Sequence, residues 1–538
     1  MLRTSDKDIK IRKILRIVKN ILLGKTIFNL FFRVYIFVIL VGAIFLYTPL
    51  THSSWDIPNQ TTEGTHPYTF WNALFIACSA FTDTGLTCVN VSTFFNFFGE
   101  FIVFLLLWFG GIGIISLFYV IWNFFRKSDS IKLQQIILLQ SERGTTKLNN
   151  TFKSIRFSVL FIITVQIFFG FIYSFWLCWM PIHVQGVRDL GNNMNITYDL
   201  PEFIDAHNNY GIAIWQGMFC SFSAMNNAGF DVFQQNISIA AFRNDWNVIF
   251  QLFTMFEIII GGIGYPLIFD IYEKIRLKKK NINYKLTLFS KVCLSSYFII
   301  LGICLIFAYS FEFGATNVGH ITLAGINNTS TEKFWGDNET FNKCWSIFYN
   351  TISTRSAGFS TINQNLFTTG THSVYIVMMF IGASPSSTAG GIRTTTLVVI
   401  FATIISIMRG RTNVSILKRN IPKNTVINSF VVFFVALLLM FLSVIIILYT
   451  PTIENSDIKI GSLPQFDFLN CLYEVSSAFG TVGLTIGITT LASPIALFVL
   501  VICMFVGQLG VSNSLLSWTK KISLGKNINY AQEDIRIG

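Results

Sequence analysis

The sequence predicts an all-α integral membrane protein. It is expected to contain four pseudo-symmetric units, each a membrane helix, a short pore helix and a second membrane helix, arranged about one axis. Three observations predict this. First, only 12% of the 538 residues are charged and 52% are hydrophobic, with a mean hydropathy of +0.57; soluble domains carry about a quarter charged residues. Second, one degenerate motif occurs four times. It reads Ser79-Ala80-Phe81-Thr82-Asp83-Thr84-Gly85-Leu86-Thr87, then Ser223-Ala224-Met225-Asn226-Asn227-Ala228-Gly229-Phe230. The third copy is Ser353-Thr354-Arg355-Ser356-Ala357-Gly358-Phe359-Ser360 and the fourth Ser477-Ala478-Phe479-Gly480-Thr481-Val482-Gly483-Leu484-Thr485. An element that recurs along a chain signals a repeat architecture. Third, basic segments alternate with these units.

That alternation sets the topology. Arg and Lys crowd residues 1–33, 126–156, 274–291, 409–423 and 520–536. The connections at about 51–69, 183–207, 311–339 and 451–467 hold few of them, and most of their charges are acidic. Cytoplasmic loops carry the Lys/Arg excess, so both termini are expected in the cytoplasm. The net charge of +12 is then a topology signal, and a nucleic-acid partner is not expected. Nine cysteines without CxxC or Cys/His clustering give neither a zinc site nor a disulfide framework.

Taken in order, residues 1–27 mix Ile9, Leu15, Ile17, Ile21 and Leu22 with basic residues. They fit an interfacial amphipathic helix or a solvated tail equally well. The apolar run that follows ends in Tyr47-Thr48-Pro49-Leu50, with no small-residue cleavage site, so it is read as a retained span rather than a signal peptide. Units are bounded at 27–126, 127–273, 274–410 and 411–519, between a cytoplasmic N-terminal segment 1–26 and a cytoplasmic tail 520–538. In the first unit a span at about 27–50 leads to a run at 70–78 that is too short to cross a bilayer. The motif follows, then a span at about 97–125. The same order returns with spans at 157–180 and 246–272 around a short helix at 211–222. Spans at 287–309 and 373–408 flank a helix at 341–352, and spans at 426–449 and 493–518 flank one at 466–476. Short apolar helix, glycine loop and long span together make a re-entrant loop, which is tolerated at membrane depth where protein or a water-filled path surrounds it. Repeats of equal orientation can surround an axis along the membrane normal.

A second glycine follows each motif: Gly110, Gly261, Gly382 and Gly507. Close packing of membrane helices explains these better than nucleotide binding does. In the third unit the final span is interrupted by Gly382-Ala383-Ser384-Pro385-Ser386-Ser387-Thr388-Ala389-Gly390-Gly391. A continuous helix is implausible through that stretch, and a broken span is expected there.

Backbone carbonyl rings can replace the water of a dehydrated monovalent cation, and glycine permits the backbone that aims them. Thr481-Val482-Gly483-Leu484 reads as a shortened potassium-channel element. Four such loops make the axis a central cation pore, with the negative C-terminal ends of the pore helices favouring a cation. Asp83 is read first as a loop-bonding residue, whereas for Asp231 a mouth carboxylate that concentrates cations and a loop cap stand level. Arg355 is read as structural, against pore-helix carbonyls or Asp83. Arg393 is left between an acidic partner and phosphate head groups. Glu257 and Glu474 lie in apolar stretches, where a carboxylate is by default a functional candidate; Glu474 has loop-backbone bonding as its alternative. No nucleophile–base pair, metal cluster or phosphate loop appears, which disfavours a membrane enzyme. Sequons at Asn195, Asn327, Asn328 and Asn338 fall in predicted external loops.

Over almost its whole length the chain resembles the Trk/Ktr/HKT potassium transporter superfamily, specifically the bacterial TrkH/KtrB type. The four loops carry the resemblance, and above all the stretch from Gly382 through Ile392-Arg393-Thr394-Thr395-Thr396. The resemblance implies a filter formed by Asp83, Thr84, Gly85 and Leu86; Asn227, Ala228, Gly229 and Phe230; Ser356, Ala357, Gly358 and Phe359; and Thr481, Val482, Gly483 and Leu484. It implies an intramembrane gate at Ala383, Ser384, Pro385, Ser386, Ser387, Thr388, Ala389, Gly390 and Gly391, with Gln508 beneath the filter. The family commonly has Lys at Arg393, and Arg where this chain has Gln508, so a fixed positive charge is expected to be missing. The implied function is potassium uptake across the plasma membrane, with sodium- or proton-coupled symport as the alternative. Potassium is the expected cargo, sodium remains open, and no organic cofactor is expected. The implied partners are a second copy of the chain, a cytoplasmic nucleotide-binding regulatory ring of the KtrA/TrkA kind, and membrane lipid.

Overall fold

The computed structural model describes residues 27–53, 68–113, 116, 151–179, 206, 209–233, 247–282, 284–314, 339–362, 364–411, 413–450, 466–511 and 514. The expected N-terminal amphipathic helix, the sequons and the C-terminal tail lie outside these residues.

Each unit contains the expected three helices. Unit one has an outer helix α1 (Ile27–Tyr47), a pore helix α2 (Phe70–Phe81), a short turn α3 (Val91–Phe94) and an inner helix α4 (Phe97–Ile112). Unit two has α5 (Thr151–Trp179), α6 (Tyr210–Asn226), α7 (Asn247–Ile263) and a continuation α8 (Tyr265–Lys278). Unit three has α9 (Leu288–Gly314), α10 (Glu339–Ser353), α11 (Thr369–Phe380) and α12 (Thr394–Met408). A two-residue hairpin, β1 (Ser415–Ile416) with β2 (Arg419–Asn420), joins it to unit four. That unit comprises α13 (Lys423–Tyr449), α14 (Phe468–Gly480), a short α15 (Ile488–Leu491) and α16 (Pro494–Leu509).

Local chemistry sets the helix starts. The Asn96 side chain accepts from the Phe98 and Gly99 amides at the head of α4. Thr368 accepts from the Thr371 amide at the head of α11. Ser493 precedes Pro494 at the first position of α16 and accepts from the Ala496 amide. Such caps satisfy amides that no helix turn reaches. α5 from Lys153, α9 and α13 are each long and apolar enough to cross a bilayer unaided. They leave large apolar side chains such as Phe171, Ile299, Phe307, Phe434 and Leu438 exposed on their outer faces, as lipid-facing helices do.

The packing closes a ring. Each outer helix packs on its own pore helix, and each inner helix packs on the pore helix of the next unit: α4 on α6, α7 on α10, α11 on α14, and α16 back on α2. Tryptophans mark three of these joints. Trp215 donates to Glu100 at 2.6 Å, Trp345 donates to the Gln251 side chain at 2.5 Å, and Trp71 meets Phe498 edge-on at 5.8 Å. The largest apolar core joins units one and four, the two ends of the chain, through residues such as Tyr35, Phe75, Leu107, Met440, Phe479 and Met504.

One expectation needs correction. A break is read in the inner span of unit three and the other three are read as long spans, but all four inner helices stop at the same register. α4, α7 and α16 stop at Gly113, Gly264 and Gly510, three residues past Gly110, Gly261 and Gly507, with φ of +82°, +96° and +83°. A left-handed residue cannot continue a right-handed helix. The equivalent position in unit three is Pro385, followed by Ser386 at φ +62°. The span expected at 246–272 is therefore two pieces, and the described inner helices of units one and four end at Ile112 and Leu509. In unit two the second piece, α8, turns 95° away from α7.

Candidate functional site

The four glycine motifs meet on the axis. Each pore helix ends at a residue with positive φ: Asp83 (+50°), Asn227 (+58°), Ser356 (+69°) and Thr481 (+48°). In units one, two and four the ending is the same. The amide of the left-handed residue bonds back three residues and the next amide bonds back five, as in Asn227 N to Ala224 O (3.1 Å) and Ala228 N to Ser223 O (2.8 Å). This double closure is a standard helix terminator whose left-handed position tolerates Asn and Asp. Unit three is one residue shorter here, and Ala357 N reaches only four back, to Ser353 O at 2.9 Å.

Two residues after each of these lies a second left-handed residue, the motif glycine. Gly85, Gly229, Gly358 and Gly483 have φ of +88°, +67°, +77° and +95°. A methyl group added to Gly85 would lie 2.5 Å from the carbonyl oxygen of Ala228 in unit two. On Gly229 it would lie 2.7 Å from Ala357 O, on Gly358 2.3 Å from Val482 O, and on Gly483 2.2 Å from Thr84 O. Each glycine thus faces the carbonyl that precedes the glycine of the next unit, and the fourth closes onto the first. Glycine is required twice over, by conformation and by this approach. The expected residues Leu86, Phe230, Phe359 and Leu484 are all buried. Their side chains wedge the loops from behind while the backbone faces the axis.

Pore-helix serines brace two of the loops: Ser477 Oγ accepts from Gly483 N at 3.1 Å, and Ser353 Oγ donates to Phe359 O at 2.5 Å. The second glycines close on backbone. Gly110, Gly261 and Gly507 abut the carbonyls of Phe81, Met225 and Phe479 at the pore-helix ends, and Gly382 abuts that of Gly390. Close packing, rather than space along the pathway, accounts for all four.

On one side of the ring lies a cavity of about 340 Å³ lined by the four glycines and by Asn90, Asp231, Gln364, Asn365, Thr485 and Thr490 among others. Asp231 is the one carboxylate among its described lining residues, and it also accepts from Phe233 N at 3.1 Å. The hydrogen bond fits the loop cap, and the lining position leaves the carboxylate facing the cavity. Asp83 is fully buried, with Oδ1 beside Gly110, and is not among the residues lining this cavity.

On the opposite side, residues 382–391 form a loop with a closed neck. Ile392 N bonds Phe380 O at 3.1 Å, and Thr394 N bonds Ala383 O at 3.2 Å. Its Ser384–Thr388 portion docks on the break in unit two: Ser384 N to Gly262 O and Tyr265 N to Ser386 O, both 3.2 Å, with Thr388 Oγ1 to Gly261 O at 3.4 Å. Its Gly390 end presses on the base of the ring, where Gly390 N donates to Thr481 Oγ1 at 2.8 Å.

The charged residues resolve as follows. Arg355 is completely buried; its guanidinium stacks on Tyr297, 4.4 Å from the ring centroid, and donates to Ile381 O at 3.3 Å. It is structural as expected, but its partners are Tyr297 and the carbonyl at the neck of the loop, not Asp83 or a pore-helix end. Arg393 pairs with neither a carboxylate nor an outward group. It donates to the carbonyls of Ala389 and Gln508, the latter at 3.2 Å. The guanidinium of Arg393 thus lies beside position 508, where Gln508 itself carries no charge. Glu257 accepts from Tyr173 (2.6 Å) and Ser221 (2.7 Å), tying α5 and α6 to α7. Glu474 accepts from the Thr485 and Thr489 hydroxyls and from Ile486 N, holding the far limb of the fourth loop. Both carboxylates are scaffold groups. All nine cysteines are free thiols, and the described residues contain no cluster suited to a metal.

The profile of the TrkH family, described as cation transport protein, matches residues 47–530. The chain belongs to the TrkH family. An uncharacterized cation transporter of Mycoplasma pneumoniae is 34% identical, with 98% of each chain covered. The Ktr system potassium uptake protein D of Bacillus subtilis is 32% identical over 88% of this chain and 90% of its own. The crystal structure of the potassium transporter TrkH from Vibrio parahaemolyticus superposes with a TM-score of 0.57 at 16% identity, covering 91% of this chain and 84% of that one. The all-α membrane fold, the multi-pass character and transport rather than enzymatic catalysis follow from that membership. The residues that sequence alone did not single out are Gly113, Gly264 and Gly510, which break the inner helices. Their signal was present as a glycine three residues after each second glycine.

Proposed function

We propose that this TrkH-family member conducts potassium inward across the plasma membrane, through a filter made by the four axial loops and a gate made by residues 382–391. The observation that carries the reading is the closed ring, in which four left-handed glycines each abut the next unit's carbonyl. Carbonyls held in that way replace a cation's hydration shell without rearrangement, and the pore-helix C-termini add negative potential. The potassium uptake named for the Bacillus relative supports the choice of ion. Sixteen residues, 83–86, 227–230, 356–359 and 481–484, are assigned to the filter. The cavity carrying Asp231 is assigned as its outer vestibule. Both termini lie in the cytoplasm. A homodimer with a cytoplasmic nucleotide-binding ring is the working assembly.

Rubidium influx into proteoliposomes, measured with and without sodium, tests the reading. Influx that discriminates against sodium supports it, and a flux indifferent to which alkali cation is offered sinks it. A reversal potential that shifts with the sodium or pH gradient would assign coupled symport instead of conduction.

A further inference from the structure

Unit three holds a contact that neither the filter nor the gate requires. Ser356, the left-handed residue of the third loop, donates its hydroxyl to the carbonyl of Thr481 at 2.6 Å and lies 3.0 Å from Thr481 Oγ1. Gly390 N, at the end of the intramembrane loop, reaches both hydroxyls, Thr481 Oγ1 at 2.8 Å and Ser356 Oγ at 3.3 Å. A methyl on Gly390 would lie 2.5 Å from Thr481 Cγ2. Ser356 and Thr481 are both almost completely buried, so little water competes for these bonds. The preceding residue, Arg355, bonds Ile381 O on the other limb of the same loop. One dipeptide of the third filter loop therefore grips both limbs of the loop's neck.

We propose that Ser356 is a latch, a positioning residue through which the closed loop holds the inner end of the filter in a state that cannot take a cation. This rests on the filter and gate assignments above. A hydroxyl has one proton and two lone pairs. With the loop in place, the Ser356 proton occupies one lone pair of the Thr481 carbonyl and the Gly390 amide proton one lone pair of the Thr481 hydroxyl, so both oxygens face partial positive charge before a cation arrives. A cation needs both oxygens as acceptors. Withdrawing Gly390 removes the donor from Thr481 Oγ1 and leaves Ser356 free to rotate its proton away from the carbonyl. Opening the path and completing the inner cation site then become one event.

The test compares rubidium influx and potassium-over-sodium discrimination in proteoliposomes for four forms of the full chain: unaltered, Ser356→Gly, deletion of Ser384–Ala389, and both together. Glycine suits φ +69° better than serine does, so this substitution removes the hydroxyl without straining the backbone. Two hydrogen bonds of modest net worth predict a rise in basal influx of about tenfold for Ser356→Gly, with reduced discrimination. In the deletion background the same substitution is expected to add nothing to influx. A full further rise there overturns the latch, as does a deletion that raises influx while Ser356→Gly leaves it unchanged. A deletion that leaves influx unchanged overturns the gate assignment, and the latch with it.

Discussion

Unit three and the other three units break their inner helices at the same place by different means. Units one, two and four use a single glycine with positive φ, and in unit two the chain resumes as helix at once, at Tyr265. Unit three places Pro385 and Ser386 there and needs the whole stretch to Thr394 before helix returns. The difference teaches that a break in an inner helix needs only one residue, whereas unit three fills its break with a loop that reaches back to the ring, which is what the proposed gate requires. The loop is held by unit two at Gly262 and Tyr265, by unit four at Thr481 and Gln508, and by its own unit at Ser356 and Arg355.

The sharpest way to break this comparison is to make unit three resemble the others. Deleting Ser384–Ala389 should raise basal rubidium influx by more than about tenfold, the scale expected when a closed state loses several buried hydrogen bonds; a deletion protein that stays closed would refute the gate. Next in size is the ring itself, where the four units ought to behave alike. Gly483→Ser places a side chain at φ +95° and 2.2 Å from Thr84 O, a strain of roughly 1–2 kcal/mol before any clash is counted. Potassium-over-sodium selectivity in competition flux should fall most for this change and least for Gly229→Ser, whose nearest carbonyl is 2.7 Å away. The reverse order would detach selectivity from carbonyl placement.

A smaller contrast lies between two breaks. Gly264→Ala meets Pro385 O at 2.9 Å, whereas Gly510→Ala meets nothing within 4 Å. Both carry left-handed strain of about 1 kcal/mol, but only Gly264→Ala should change basal flux, by several-fold. Equal effects would show that the docking of the loop on unit two is incidental. Smallest of all, Glu257→Gln should cost about 1 kcal/mol of thermal stability in detergent with selectivity intact; altered selectivity would restore Glu257 to the pathway.

Much of this was legible in sequence because repetition multiplies weak signals. Thr481-Val482-Gly483-Leu484 alone is a short match, but four copies between a short helix and a span fixed the ring. The helix breaks were less legible. Gly113, Gly264 and Gly510 look like ordinary small residues for membrane-helix packing, and only a backbone angle tells a break from a contact. Pro385 advertised its break because proline cannot be accommodated silently. The partners of Arg355 and Arg393 were not legible, since both donate to backbone carbonyls, and a carbonyl has no letter in the sequence. Ser356 reads as a filter residue, but its contacts with Thr481 were not legible, for a related reason: they span 125 positions.

The ring is made from one polypeptide, so its four sectors are encoded separately. In a pore built from four identical chains, one codon alters four ligands at once, and most such changes are ruinous. Here one codon alters one sector and leaves three to hold the geometry. Unit three is shorter by one residue at its filter, carries a buried guanidinium beside it, and has given up a continuous helix below it, while units one, two and four remain alike. Division of labour among sectors, with some reserved for holding the ion and one released to control it, is open to a chain of this kind and closed to a homotetramer.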